Sequence, residues 1–433
     1  MRISRLELQH FRNYARLEMD LGARIHLLVG NNAQGKTNLL EAIYYLATTR
    51  SPLASNDREL IGWDSVREEV IPNAQLALRY WREGVEHTLE ASLVLEPAEG
   101  AQPQEGVFRR RLRLDGHNRR AMDVVGNLNV VLFLPEDILL VSGSPGHRRR
   151  YLDVFLCQLD AHYCRSLSTY NRVLAHRNAL LRQVRERAAS PSELDYWDDQ
   201  LSQLGAYVMG RRLWALYRLQ EYASSAMEAL TGGEEHLQLL YEHTLPDRCD
   251  LTAITQSLCV PALVWGGAER AEAEAVSALQ QCYGEVLHSA RREELARGLT
   301  LYGPHRDDAR FMLNGHDARV YGSRGQQRTV ALALKLAEVT LMDVSVGEMP
   351  VLLLDDVLSE LDPQRGTYVL ERIAHAEQVL VTATSLNDVP RAFVEAARVW
   401  SVRGGSAAPL APGEPPVDDD PLPECDASAQ RPL

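Results

Sequence analysis

The sequence predicts an α/β fold in which a mostly helical insertion divides a sheet-containing domain. A glycine-rich loop, Gly30–Thr37, joins a short apolar strand to a helix. A second apolar strand, Val351–Leu354, ends in two acids, and long runs of helical periodicity fill much of the chain between the two. Strand-and-helix segments at both ends of the chain indicate that the two ends build one α/β unit.

Short apolar or alternating runs indicate strands in the first 144 residues. Two strands are expected within Arg2–Leu21, with a turn near Arg12 and Asn13. The further candidates are a hairpin at Ala74–Leu95 with Glu83-Gly84 at its turn, a second hairpin at Phe108–Arg120 around an Asp-Gly turn, and a buried strand at Val130–Leu134. This segment is therefore predicted to be rich in strands around the helix that follows the glycine-rich loop.

Helical periodicity begins near Pro145. Helices are predicted at Pro145–Ala189, Glu193–Leu230 and Ala271–Arg297. Strand and helix signals then alternate, as short strands after Leu299 with an Asn314-Gly315 turn, a helix at Gln326–Met342, a strand at Val351–Leu354, a helix at Pro363–Ala374 and a strand at Val379–Thr382. The predicted organisation is an N-terminal part of the α/β domain at 1–144, a helical insertion (arm) at 145–297, a C-terminal part at 298–403 and a tail at 404–433.

The tail is predicted to be disordered from its composition. Gly404–Leu433 holds seven prolines, six acids and one arginine. Such a segment has too little apolar surface to bury a core.

Bulk composition narrows the class of protein. With 433 residues and 45% hydrophobic content, two or three domains are expected. We expect no transmembrane helix, because no stretch of 18 apolar residues occurs, and no signal peptide, because the N-terminus is polar. The absence of a C-x-x-C pair argues against zinc, and Cys157 and Cys164 are interpreted as small core residues. A cytoplasmic protein is expected, and its net charge of −13 does not by itself indicate a nucleic-acid partner.

The glycine-rich loop carries the pattern G-x-x-x-x-G-K-[ST] without a mismatch. Backbone N–H groups of such a loop surround a phosphate chain, so ATP with Mg²⁺ is the predicted cofactor. The candidate contacts are Gly30, Asn31, Asn32, Ala33, Gln34, Gly35, Lys36, Thr37 and Asn38. Lys36 is expected to reach the β- and γ-phosphates and Thr37 to hold the metal; only two of the chain's 46 basic residues are lysines.

The acidic strand supplies the carboxylates that a hydrolytic site needs beside the phosphate-binding loop. Asp355 at the strand tip is a candidate ligand of Mg²⁺. Asp356 is the candidate catalytic carboxylate, because it can polarise a water molecule for attack on the γ-phosphate.

A second phosphate cradle is predicted upstream of the acidic strand. Ser323, Gly325 and Gln326 open a helix, and a helix N-terminus with a serine and a glycine suits a phosphate, although a serine N-cap is also a common structural feature. One ATP does not need two cradles in one chain. A homodimer, in which each chain presents this helix to the other chain's nucleotide, is therefore predicted.

The order and separation of these motifs resemble those of ABC-type ATPases and, among them, the RecF family. The segments specific to that family are "LELQHFRNY", "FLPEDILLVSGSPGHRRRYLD", "LTLYGPHRDD" and "YGSRGQQR", and the resemblance covers about residues 1–403. It implies an ABC-type P-loop ATPase head split by a helical insertion. It also implies that Ser323, Gly325 and Gln326 contact ATP across a dimer, with Ser359, Glu360 and Asp362 at the dimer seam.

The resemblance also implies a function, and the sequence departs from the family's pattern at three places. A RecF-type protein binds DNA at single-strand gaps with RecR and RecO, helps RecA load, and serves repair, replication and the SOS response. Here no glutamine stands at Pro135–Asp137, where related ATPases carry their Q-loop, and no switch histidine stands near Thr382 and Thr384. Because Asp356 is also shorter than the usual glutamate, we expect slow, DNA-stimulated hydrolysis suited to a timed clamp.

Arginine clusters are the candidate DNA contacts, since they neutralise phosphates without reading bases. They comprise Arg109, Arg110, Arg111, Arg113, Arg119 and Arg120 on one hairpin, Arg148, Arg149 and Arg150 at the start of the insertion, and Arg50 after the loop helix. The structural alternative is a solvated or salt-bridged face.

Other P-loop classes fit less well. A transporter ATPase subunit keeps its two nucleotide motifs much closer together, whereas Lys36 and Asp355 are 319 residues apart. A chromosome-structure ATPase would carry sustained heptads in a longer insertion. A small-molecule kinase would leave the Ser323 segment unexplained.

Overall fold

A computed structural model of the chain describes residues 1–96, 106–246 and 269–410. Its strands are β1 (Arg2–Phe11), β2 (Tyr14–Asp20), β3 (Ile25–Val29), β4 (Asn73–Arg82), β5 (Val85–Glu96), β6 (Val107–Leu114), β7 (His117–Arg119), β8 (Val130–Phe133), β9 (Leu237–Glu242), β10 (Asp308–Leu313), β11 (His316–Asp317), β12 (Val351–Leu354), β13 (Val379–Ala383), β14 (Arg398–Arg403) and β15 (Ser406–Pro409).

The helices alternate with these strands. They are α1 (Lys36–Thr48), α2 (Trp63–Glu68), α3 (Ala121–Val124), α4 (Leu139–Ser142), α5 (Pro145–Leu159), α6 (Ala161–Arg185), α7 (Leu194–Thr231), α8 (Glu269–Arg297), α9 (Ala318–Tyr321), α10 (Arg324–Val346), α11 (Pro363–Ile373) and α12 (Arg391–Ala396). Short 3₁₀ turns lie at Asp57–Leu60, Pro135–Ile138, Pro191–Glu193, Leu358–Glu360 and Leu386–Asp388.

A mainly parallel sheet lies at the centre, with strand order β15-β14-β3-β13-β12-β8. Its strands come from both ends of the chain, and β14, β3, β13, β12 and β8 pair in parallel. In the register, Leu354 faces Phe133 on one side and Val381 on the other. The carboxyl ends of β3, β8, β12 and β13 therefore meet at one edge, which we call the strand edge.

The parallel sheet is buried on both faces. Leu352 and Leu354 point into a core with residues of α5, α7 and α10, whereas Val351 and Leu353 point into a second core with α1 and the antiparallel sheet. Double burial explains why β12 reads as a continuous apolar run rather than an alternating one.

An antiparallel sheet with the order β2-β1-β4-β5-β6-β7 covers α1. The β4–β5 hairpin turns at Glu83 and Gly84, whose φ angles are +51° and +77°. Positive φ at both central residues is the geometry of a tight hairpin turn whose twist matches that of the strands.

The insertion combines long helices with a small sheet. Helix α7 packs against α6 and α8 through a cluster that includes Tyr170, Met209 and Tyr283. Strand β9 pairs with β10, which pairs with β11. Sequence analysis did not predict β9, whose partner strand lies about seventy residues further along the chain and on the far side of α8.

The α/β class is confirmed, and two local predictions are corrected. The predicted helix Pro145–Ala189 breaks at Asp160, whose carboxylate accepts hydrogen bonds from the backbone N–H groups of His162 and Tyr163 and so caps α6. The tail does not begin at Gly404, because β15 pairs with β14 through residue 409; residues 411–433 lie outside the described residues. Across the described ranges, the helices lack the length and apolarity that a membrane crossing requires.

Candidate functional site

The glycine-rich loop lies at the strand edge between β3 and α1. Gly35 has a φ of +115° and Ala33 a φ of +64°, the left-handed backbone conformation that anion-binding loops use to turn their N–H groups toward a ligand. A Cβ atom on Gly30 would lie 2.2 Å from the carbonyl oxygen of Val402, so that position accepts only glycine. The loop therefore has the conformation of an anion-binding nest at the start of a helix.

Lys36 is held inside this loop. Its side chain is 6% exposed, and its Nζ donates to the carbonyl oxygens of Gly30 and, at 3.1 Å, of Asn31. Burial lowers the pKa of Lys36, and the nearby carboxylates of Asp356, Asp355 and Asp388 oppose that shift. The ammonium is thus fixed by neutral oxygens close to the acids of the neighbouring strands.

Thr37 and Asp355 come together across the strand edge. The Thr37 hydroxyl donates to Asp355 Oδ2 at 2.7 Å, and Thr382 donates to Asp355 Oδ1 at 2.7 Å. Burial raises the pKa of Asp355, and the two hydroxyl donors oppose that shift. Hydroxyl and carboxylate oxygens are the donors that Mg²⁺ prefers, so the pair fits the predicted metal position.

Asp356 has a strained backbone, with a φ of +49°. Its N–H donates to the Thr382 hydroxyl at 2.9 Å, and Ser359 Oγ donates to Asp356 Oδ1 at 2.9 Å. Aspartate adopts the left-handed region more readily than longer acidic side chains do, because its short side chain can bond locally. This backbone conformation suits an aspartate at the position after the strand acid.

Thr382 received no role from the sequence beyond standing near the expected switch histidine. It lies on a strand adjacent to β12 and bonds both acids, which makes it a positioning residue for the pair. The sequence contained a signal for this role, because Thr382 belongs to an apolar strand, β13, and is a polar residue at the register of Asp355.

Two turns hold the outer side of the glycine-rich loop by hydrogen bonds, and the sequence analysis assigned a role to neither turn. In the β1–β2 turn, Asn13 Nδ2 donates to the Gln34 carbonyl at 2.9 Å and the Tyr14 hydroxyl donates to the Gly35 carbonyl at 3.0 Å. In the β14–β15 turn, the N–H of Gly404 donates to Gln34 Oε1 at 2.7 Å. Asn38 closes the first clamp by donating to Asn13 Oδ1 at 2.8 Å.

The Ser323 segment is not part of this cluster. Ser323 and Gly325 are exposed; Ser323 caps α10 and forms a reciprocal pair of hydrogen bonds with Gln326. Gln326 Nε2 donates to Glu235 Oε1 at 2.7 Å. Within the described residues, no hydrogen bond joins this segment to the loop or to the two acids, so the same chain does not complete the site with it.

The remaining predicted positions flank the strand edge. Asp362 is exposed and caps α11 by accepting the N–H of Arg365 at 3.0 Å. In the 3₁₀ turn after β8, Asp137 accepts the N–H of Leu134 at 2.8 Å. Glu136 is exposed, and its charge is one of the causes that raise the pKa of Asp355, so this carboxylate faces the strand edge.

The hairpin arginines divide between two faces of the antiparallel sheet. Arg110 points inward, where it donates to the carbonyl of Thr49 at 2.7 Å and to Asp57 at 3.0 Å. Alternation places Arg109, Arg111 and Arg113 on the other face. All six arginines of the hairpin set are exposed. Arg109 pairs with Glu96, Arg113 lies near Glu90 and Arg120 pairs with Asp123, whereas Arg111 and Arg119 have no ion pair within the described residues. The hairpin is therefore not one continuous basic face. Because the guanidinium of Arg110 is already bound by Thr49 and Asp57, we do not retain Arg110 among the proposed DNA contacts.

The burial of Arg148 corrects a second prediction, which was that this residue contacts DNA. Its side chain is 3% exposed, and Nε and Nη2 bind the two carboxylate oxygens of Asp308 at 2.7 and 2.8 Å. A guanidinium in a buried bidentate pair is not available to a DNA phosphate. Arg149 donates to the Asp307 carbonyl at 2.8 Å, and Arg150, which is exposed, donates to the carbonyl of Ser51.

This ion pair belongs to a larger contact between the two segments "RRRYLD" and "GPHRDD". Arg212 binds Asp153 from the first segment at 2.8 Å and the Pro304 carbonyl from the second at 2.6 Å. We call the group of Arg148, Asp308, Arg212 and Asp153 the insertion base. The two family-specific segments thus meet in a structural junction where the insertion joins the α/β domain.

Arg50 lies apart from these pairs. It is exposed, and no ion pair involves it within the described residues. It lines a cavity of about 550 Å³ together with Arg149 and Arg150.

Comparisons with known proteins agree with this architecture. Residues 2–406 match the family model described as RecF/RecN/SMC N terminal domain. The DNA replication and repair protein RecF of Chloroflexus aggregans is 44% identical over 411 residues, which are 94% of this chain and 99% of that protein. The protein of the same name from Ligilactobacillus salivarius is 37% identical over 413 residues, with 94% and 97% covered. A solved structure of the recombination mediator protein RecF with ATPrS in the RecFOR pathway is similar with a TM-score of 0.76 and 28% identity, covering 94% of this chain and 98% of that one.

Proposed function

The chain belongs to the RecF family of DNA replication and repair proteins, and we propose that it is an ATP-gated DNA-binding protein that acts as a homodimer. Its fold is that of an α/β ABC-type ATPase. We propose that residues 1–144 and 298–403 form the ATPase head, that 145–297 form the insertion, and that the acidic tail begins after β15. The observation that carries the proposal is the assembly of Lys36, Thr37, Asp355 and Asp356 at one strand edge, without the Ser323 segment.

ATP with Mg²⁺ is the proposed ligand of the strand edge. A similar solved structure is RecF with ATP, at 28% identity. Residues 30–38 would surround the phosphates, and Lys36 would compensate the charge of the β- and γ-phosphates. Thr37 and Asp355 would hold Mg²⁺, which supplies charge compensation for the transferred phosphoryl group.

Hydrolysis is proposed to be slow and to reset the clamp. Asp356 would polarise the attacking water, and Ser359 and Thr382 hold its side chain and backbone in place. A short carboxylate on a strained backbone has little freedom to approach the γ-phosphate, so a weak, DNA-stimulated ATPase is proposed.

Dimerisation would complete the site. Ser323, Gly325, Gln326 and Asp362 would act on the nucleotide of the opposite chain, since Ser323 and Gly325 are exposed and make no contact with the loop of their own chain within the described residues. A helix N-terminus is suited to a γ-phosphate, because its first N–H groups and its dipole favour negative charge. ATP would therefore act as part of the interface that closes the dimer.

DNA is the proposed partner of the closed dimer, at single-strand gaps or junctions. The revised contact set is Arg50, Arg109, Arg111, Arg113, Arg119, Arg120, Arg149 and Arg150. The similarity to a recombination mediator of the RecFOR pathway supports work with RecR and RecO in the cytoplasm, helping RecA load and serving the SOS response.

The first test is the dimer fraction by analytical ultracentrifugation, with and without ATP and Mg²⁺. The native chain is expected to dimerise with ATP, and Ser323→Arg is expected to bind ATP but stay monomeric, because Ser323 acts on the opposite nucleotide. Ser192→Arg, an exposed serine in the turn between α6 and α7, is the matched control and should dimerise normally. A native chain that stays monomeric with ATP bound would contradict the composite site.

A further inference from the structure

A cavity at the corner between α5 and α6 holds two thiols. Cys157 lies near the end of α5, and Cys164 lies in the first turn of α6. Because Asp160 ends one helix and caps the next, the two cysteines lie on different helices and meet across the corner between them. Both are free, half-buried cysteines that line the same cavity, and their side chains interact.

The cavity gives small solutes access to this pair. It has a volume of about 550 Å³ and lies between the C-terminus of α1 and the two helices. Polar side chains, including Ser168 and Asn171, line it along with the thiols, so it is not a closed apolar core. Cys157 packs against the hydrophobic core, as the sequence analysis predicted, and it also lines this cavity together with Cys164.

The surrounding charges make the two thiols unequal. The interaction with Cys157 lowers the pKa of Cys164, and Arg50 and Arg165 lower it further, against the effects of burial and Asp123. The interaction with Cys164 raises the pKa of Cys157, and burial and Asp153 act in the same direction. Cys164 also lies in the first turn of α6 beside Arg165, where positive charge favours a thiolate, so Cys164 is the more readily ionised thiol of the two.

We propose that Cys157 and Cys164 form an oxidisable dithiol site that takes hydroperoxides as substrates. The Cys164 thiolate attacks one peroxide oxygen, so that an S–O bond forms, the O–O bond breaks and the leaving oxygen departs as water or an alcohol after taking a proton. Cys157 then loses its proton and attacks the Cys164 sulfur, which forms the disulfide and expels hydroxide as water. The peroxide is reduced by two electrons, and the two thiols are oxidised by two.

Peptide mass mapping of the full-length chain after brief treatment with hydrogen peroxide tests this site. In the native chain, peptides containing Cys157 and Cys164 should be joined by a disulfide. Cys157→Ser should stop at the Cys164 sulfenic acid, which dimedone traps, and Cys164→Ser should give no dimedone adduct at Cys157. A native chain without the joined peptides, or equal dimedone trapping in both variants, would overturn the proposal; the native measurement requires no variant to fold.

The rate of Cys164 alkylation by iodoacetamide gives an independent test. Arg50→Gln should slow it about threefold, because the loss of a neighbouring cation disfavours the thiolate. Arg172→Gln, which changes an exposed arginine of α6 outside the cavity, should leave it unchanged. Equal rates in the two variants would overturn the assignment of Cys164 as the activated thiol.

Discussion

The strand edge and the insertion base are both built from charged residues of short motifs, yet they hold charge differently. At the strand edge, backbone carbonyls hold Lys36 and threonine hydroxyls hold Asp355. Within the described residues, no ion pair neutralises either of them. At the insertion base, Arg148 and Asp308 neutralise each other in a bidentate pair, as do Arg212 and Asp153.

The difference shows how a ligand site can be told from a structural junction. Charges that are held by neutral partners remain uncompensated and can attract a ligand, and burial strengthens that attraction. Charges that face each other in a buried pair are already compensated, and breaking the pair is costly. Both regions are rich in motif residues, so the sequence alone does not tell them apart. The ligand site and the structural junction differ in whether their charged side chains are paired with each other.

The largest expected effect is on stability at the insertion base. Arg148→Met should lower the free energy of unfolding by about 3 kcal/mol, because the half-buried Asp308 is left without its buried partner. Urea unfolding measures it, with Arg111→Met on the exposed sheet face as the matched control, which should change stability by at most about 0.5 kcal/mol. Equal losses of unfolding free energy in the two variants would show that the buried and the exposed arginine contribute equally to stability.

A somewhat smaller effect, on catalysis alone, is expected at the strand edge. Asp356→Asn should lower the rate of ATP hydrolysis about 10²-fold, or ~2.7 kcal/mol in the barrier, because the water loses its carboxylate. ATP affinity and the unfolding transition should stay unchanged. Asp199→Asn, an exposed position of the insertion, is the control. A variant that hydrolyses ATP at the native rate would show that Asp356 is not the catalytic carboxylate.

A pH effect of intermediate size should arise beside the insertion base. Burial lowers the pKa of His305 to about 4, and its neutral ring accepts a hydrogen bond from the Tyr170 hydroxyl. As the pH falls, the unfolded state binds a proton at this histidine before the folded state does. The contribution of His305 to the free energy of unfolding is therefore complete near pH 7 and is lost as the pH falls from about 6.5 toward 4. The native chain should lose about 2 kcal/mol between pH 7 and pH 5 through this group.

Denaturant unfolding at the two pH values checks this expectation. His305→Gln should show a smaller loss than the native chain, whereas His288→Gln, an exposed histidine of α8, should behave like the native chain. The same pH dependence in all three proteins would show that His305 does not titrate as its burial requires.

The smallest effects are expected on the exposed sheet face. Arg111→Glu combined with Arg113→Glu should weaken DNA binding and reduce the slope of log affinity against log salt by about one for each DNA phosphate that is no longer neutralised. Arg110→Glu is a poor test, because it would break inward hydrogen bonds. An unchanged salt slope would remove this face from the DNA footprint and leave Arg50, Arg149 and Arg150.

Local patterns predicted the elements that depend on neighbours in sequence. The Asp-Gly and Asn-Gly turns, the apolar strand β12 and the glycine-rich loop all lie where the sequence analysis placed them. Their conformations follow from backbone preferences and short-range hydrogen bonds. The helix break at Asp160 was missed, although aspartate is a common N-cap, because apolar periodicity continues across it.

The amino-acid sequence by itself determined the α/β class, the phosphate loop and the two acids, since each is encoded within a few consecutive residues. Only the tertiary structure decided that Asn13, Tyr14 and Gly404 clamp the loop, that Thr382 positions both acids, and that Arg148 is paired with Asp308. These interactions join residues far apart in the chain. Local preference carries no information about which partner a charge or an amide will meet, because that depends on how the two ends of the chain close around one sheet.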